Sequence, residues 1–95
     1  MYARVARFEK ASPDQQQRMA ESLRATEGPP EGVPAKGILF LADGENGRTL
    51  AITLYESEDD MHTGDAALRA MNPPDVDERE LVSVEFYEVA AERRL

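Results

Sequence analysis

A strand running straight into a helix through an acidic corner is the feature that most limits how this chain folds. Residues 47 to 72 read GRTLAITLYESEDDMHTGDAALRAMN. From Arg48 to Tyr55, Leu50, Ile52 and Leu54 alternate with Ala51, Thr53 and Tyr55, the period-two pattern of a half-buried strand, and the leucine side is expected to be core. Ser57 then offers a hydroxyl cap, with Asp60 three residues on and further carboxylates in the first turn, where the helix dipole favours negative charge. Met61, Gly64, Leu68 and Met71 mark the inner face of this second helix, which Asn72-Pro73-Pro74 ends. One sheet element and one covering helix are thus fixed as a unit.

The flanking residues supply the remaining elements. Tyr2 to Phe8 mixes β-branched and aromatic residues with small ones and arginines and reads as a first strand. Ser12-Pro13-Asp14-Gln15 is a capping box with proline at the first helical position, so a helix starts there, runs through Met19, Ala20 and Leu23 on one face, and stops near Gly28. Gly28 to Lys36 is a Pro/Gly-rich loop. Gly37 to Ala42 is a second strand, and Asp43-Gly44-Glu45-Asn46-Gly47 turns it into the third as a hairpin. After an acidic linker to Glu80, Leu81 to Val89 alternates Val82, Val84 and Phe86 with Ser83, Glu85 and Tyr87 as a fourth strand, and Ala90 to Leu95 is expected to fray or to form a short turn of helix.

The order strand, helix, strand, strand, helix, strand resolves under the right-handed crossover rule into a ferredoxin-like α+β domain over residues 1–95. Its antiparallel sheet has the order 4-1-3-2, with both helices on one face. Alternation then forces Leu39 and Leu41, or else Ile38 and Phe40, onto the uncovered face, which Tyr2, Phe8, Tyr55, Tyr87 and Val89 are expected to join. So large an apolar surface on a small domain marks an interface, and the expected partner is a second copy, sheet to sheet. The chain has no cysteine, so disulfides, thiolate nucleophiles and Cys-based metal sites are excluded. Its net charge of −8, from 19 acidic and 11 basic residues, opposes binding to nucleic acid or anionic membrane. No apolar run approaches the ~20 residues of a spanning helix, and Met1-Tyr2-Ala3-Arg4 does not open a signal peptide; a soluble cytoplasmic protein is expected.

In length, element order and the segment Ile52-Thr53-Leu54-Tyr55-Glu56-Ser57-Glu58-Asp59-Asp60, the chain resembles the antibiotic biosynthesis monooxygenase-like family of the dimeric α+β barrel superfamily. Members commonly carry Trp-x-Ser-Glu-Glu where this chain has Tyr55 to Asp59. The resemblance implies a homodimer with a cavity between each sheet and its helices or at the barrel mouth. In some members it implies oxygenation of polyketide-type phenols without a cofactor. Other members degrade haem, using an Asn, a Trp and a helix-borne His together; this chain has no tryptophan, and its one histidine, His62, falls in the first helical turn, too early for that role.

With Val82, Val84 and Phe86 toward the helices, Glu85 and Tyr87 face away, and Thr53, Tyr55 and Arg4 are expected on the same side. There Glu85 is the candidate base and Arg4 the phenolate-stabilising cation, with Thr53, Tyr55 and Tyr87 binding the substrate. The plainer alternative makes Arg4 and Glu85 a cross-strand pair at the dimer interface, with the two tyrosines burying their rings. His62 with Asp59 and Asp65 is a weak metal-ligand pattern, and no metal is expected. Two functions compete: a monooxygenase-like enzyme acting on a small aromatic or quinone-like molecule, and a non-catalytic dimeric ligand-binding or stress-associated barrel. A roomy cavity with convergent polar groups favours the first; side chains that close the space favour the second.

Overall fold

The computed structural model describes residues 1–29, 31–71 and 80–95. In chain order the elements are β1 (Tyr2–Glu9), α1 (Pro13–Ala25), β2 (Gly37–Asp43), β3 (Arg48–Tyr55), α2 (Glu58–Met71) and β4 (Glu80–Glu88). All pairings are antiparallel in the order β2-β3-β1-β4, which is the expected 4-1-3-2 read from the other edge. The Met71 side chain, the Asn72-Pro73-Pro74 stop and the linker that follows lie outside the described residues.

Both helices start as the sequence dictates. At α1, the Ser12 hydroxyl accepts from the Gln15 amide at 3.2 Å and the Gln15 side chain accepts from the Ser12 amide at 2.8 Å, satisfying two amides that the helix itself cannot. At α2, Ser57 Oγ accepts from the Asp60 amide at 3.1 Å. The hairpin turn is tied by Asp43, whose carboxylate accepts from Asn46 and Arg48, and Gly47 takes a φ of +67° that only glycine adopts without strain.

The register gives each face of the sheet its residues. Arg4 pairs with Thr53, Ala6 with Ala51 and Phe8 with Thr49, while across β4 Arg4 pairs with Phe86 and Ala6 with Val84. These side chains share the helix-covered face, as the Arg4 to Asp65 bond and the burial of Tyr55 beside Met61 show. The other face carries Val5 with Ile52 and Arg7 with Leu50, Leu39 and Leu41 beside them on β2, and Glu85 on β4.

Val84 and Phe86 of β4 are therefore oriented as expected, a bulge interrupts the alternation at Val82, and β3 is reversed. Leu50, Ile52 and Leu54, read as core, lie on the uncovered face, whereas Thr53, Tyr55, Tyr2 and Phe8 lie under the helices. The physical reason is close approach: α2 rests on small and polar positions such as Ala6 and Thr53, with one large ring, Tyr55, filling the gap between sheet and helix. The core is correspondingly thin. Tyr55, Met61 and Val33 form its centre, with Tyr2, Ala35, Ala67 and Leu68 packed around them. Val33 comes from the Pro/Gly-rich loop, which thus contributes a buried anchor as well as a connection.

Candidate functional site

Beneath α2, Arg4 on β1 is buried and donates from Nε to Asp65 Oδ1 at 2.8 Å, and the same carboxylate accepts from Arg69 Nε at 2.9 Å. Burial pushes the Asp65 carboxyl up, but the hydrogen bonds and charges of Arg4 and Arg69 outweigh it and hold the group below the ordinary carboxylate range. Beside this pair, Tyr55 is fully buried and its hydroxyl makes no hydrogen bond among the described residues. Burial raises its phenol pKa, with Thr53 and the Arg4 charge acting in the opposite direction. The space is filled: the Tyr55 ring lies directly against Gly64 of α2. This is a charged structural tie with no room for a substrate.

On the uncovered face, Glu85 Oε1 accepts from Arg7 Nε at 2.7 Å and from Ser83 Oγ at 3.3 Å, while Tyr87 donates its hydroxyl to Oε2 of the same carboxylate. The Tyr87 bond and the Arg7 bond and charge hold Glu85 below the ordinary carboxylate range, and the bond to Glu85 raises the Tyr87 phenol. A carboxylate so paired is a weaker base than an isolated one.

The five expected site residues are thus divided by the sheet. Glu85 and Tyr87 meet on one face, Arg4, Thr53 and Tyr55 lie on the other, and neither the catalytic pair Arg4–Glu85 nor its cross-strand ion-pair alternative forms. Arg7 takes the place expected of Arg4. Its signal was parity: Arg4 and Arg7 are three residues apart, so they face opposite ways, and only the register decides which joins Glu85. His62 lies 3.7 Å from Glu58 and stacks its ring against Phe86 at 5.4 Å, while Asp65 is engaged by the arginines; among the described residues, no group of three acids or histidines is placed to hold a metal.

Open space lies under α1 and at the hairpin end of the sheet. No apolar side chain of α1 is fully buried; Met19, Ala20 and Leu23 are half-covered, and Gln16 holds the helix start by donating its amide to the carbonyls of Asp43 and Arg48 at 3.2 Å. Between Met19 and Leu23 above and Ile38, Phe40 and Ala51 below is an apolar cavity of about 270 Å³. A second, of about 280 Å³, shares Leu23, Thr26, Gly28 and Ile38 with it and reaches Lys36 in the loop. A third concavity of about 500 Å³ sits at the hairpin end of the sheet, with Leu41, Leu50, Arg7 and Arg48 around it. No helix among the described residues is long and apolar enough to cross a membrane. No model of a known protein family matches the chain, and no curated protein matches it either.

Proposed function

We propose that this chain pairs with a second copy through its uncovered sheet face as a dimeric α+β barrel, and that each subunit binds a small aromatic or quinone-like molecule beneath α1. The carrying observation is the unfilled apolar gap between Met19 and Leu23 of the helix and Ile38, Phe40 and Ala51 of the sheet. Interiors ordinarily close such gaps, and an apolar cavity of this size accepts a flat ring system at little polar desolvation cost. The dimer rests on the row Val5, Leu39, Leu41, Leu50, Ile52 and Leu54, an apolar stripe across β1, β2 and β3 on the uncovered face, beside the polar Arg7–Glu85–Tyr87 cluster; Leu39 and Leu41 are about half exposed.

Turnover as a cofactor-independent monooxygenase is the second reading, at a separate site on the opposite face of the sheet, and the Arg7–Glu85–Tyr87 cluster favours it. Glu85 would take the phenolic proton and Arg7 would steady the phenolate while dioxygen serves as oxidant. Glu85 is already satisfied by three donors, so binding without turnover is the better-supported function.

The probe 1-naphthol tests both. Calorimetric titration should show saturable binding that Ala51→Met, which fills the gap, abolishes without altering the sedimentation of the protein. Turnover would convert 1-naphthol and one dioxygen to 1,4-naphthoquinone and water, read as oxygen uptake that Glu85→Gln removes. An absence of saturable binding overturns the ligand reading, and binding without oxygen uptake overturns the enzymatic one.

A further inference from the structure

The two cavities under α1 form one groove, since Leu23, Thr26, Gly28 and Ile38 line both. One end is predominantly apolar, with Met19, Phe40 and Ala51 among its lining. The other end reaches the loop before β2, where Lys36 is the single charged side chain among the described residues lining either cavity. Its backbone is fixed, because the Lys36 amide donates to the Leu54 carbonyl at 2.7 Å and so pins the residue to the sheet edge. The ammonium approaches Glu56 Oε2 only at 3.8 Å, with both side chains more than half exposed, which is a weak ion pair. A cation carried on a fixed backbone at the mouth of an apolar groove is complementary to a molecule with a flat or aliphatic body and an anionic head.

Resting on the ligand reading above, we infer that the groove selects apolar carboxylic acids or comparable organic anions, with the hydrocarbon body between Leu23 and Phe40 and the anionic group on Lys36. The recognition is local. The chain as a whole is acidic at −8, so its overall field disfavours anions, and any preference for them has to come from direct contact.

The isosteric probes 1-naphthoate and 1-naphthamide separate this inference from the binding reading beneath it. Titrated calorimetrically at neutral pH, naphthoate should bind more tightly than naphthamide by up to roughly fivefold, the upper end of the range for one partly exposed ion pair. Lys36→Gln should erase the difference by weakening naphthoate alone, Lys36→Arg should retain it, and Glu56→Gln, which removes the competing carboxylate, should strengthen naphthoate. Both positions are exposed, so folding is unaffected. Equal binding of the two probes, or a preference that survives Lys36→Gln, overturns the inference and leaves the cavity as a neutral site. If neither probe binds, the inference and the ligand reading fail together.

Discussion

The ring of Tyr55 stands where a side chain on residue 64 would have to be. A Cβ added to Gly64 would lie 2.5 Å from Tyr55 Cε1 and 2.7 Å from Cζ, inside any real carbon contact. Because the ring is fully buried in the centre of the core, it has nowhere to retreat. Glycine in mid-helix normally costs about 1 kcal/mol relative to alanine, so this position accepts that penalty to let α2 approach the sheet.

Gly64→Ala should therefore destabilise the fold by about 2 kcal/mol, the overpacking cost exceeding the gain in helix propensity. Pairing it with Tyr55→Leu, which removes the colliding ring atoms, should recover more than about 1 kcal/mol relative to the sum of the single changes. Urea unfolding of the four proteins measures the coupling, and strict additivity would show that the contact does not exist in solution.

Asp65→Asn tests the tie between β1 and α2. Arg4 is 6% exposed, so removing the carboxylate's charge leaves a buried guanidinium without its counter-ion, at a cost of about 3 kcal/mol. The folded carboxyl is held below the ordinary aspartate value of 3.8, so its contribution is fully present above that pH and declines as acid protonates the folded form. The wild type should thus lose stability as pH falls below about 4, and Asp65→Asn should lose less of it over the same interval. Parallel thermal melts of the two proteins across that range give the comparison.

The element order, the caps and the hairpin were legible because each rests on local chemistry: Ser12 with Gln15, Ser57 with Asp60, and Gly47 at a positive φ. The identity of the helix-covered face of β3 was not. Alternation separates Leu54 from Tyr55 without saying which one meets a helix, and hydrophobicity pointed to the leucines, whereas close packing of α2 selected Thr53 and Tyr55. From that one inversion the expected site divided, since Arg4 follows Thr53 in register while Glu85 follows Val5. The gap under α1 was illegible for another reason: the stripe of Met19 and Leu23 predicts contact with a sheet, and only coordinates show how far that contact closes.

Asp43 gives a second acid-sensitive element. Its carboxylate accepts from Asn46 and from Arg48, in that order of effect, and its pKa falls from 3.8 to about 2. The turn's contribution is present above pH 3.8 and disappears as pH drops through about 2, an interval that opens at the same pH at which Asp65 begins to act. Asp43→Asn should flatten the stability profile between pH 3.8 and about 2. Amide exchange of Asn46, whose N–H reaches Asp43 at 3.3 Å, should quicken in the variant and report the same loss locally.

The proposed pairing of two copies rests on the uncovered sheet face. Ile52 lies on β3, an interior strand, paired with Val5 on one side and Leu39 on the other, so a charge placed there sits in the middle of the apolar surface. In a two-fold pairing each substitution is present twice, and Ile52→Lys would oppose two ammonium groups in a region depleted of water. Sedimentation at micromolar concentration should then show a dimer for the wild type and a single chain for Ile52→Lys, with the dissociation constant raised at least a hundredfold. The variant's fold should survive, because residue 52 points away from the Tyr55, Met61 and Val33 core and a lone lysine on a solvated face costs little. A wild type that sediments as one chain at every concentration would mean that the face stays open to water, and the barrel would then have no second half.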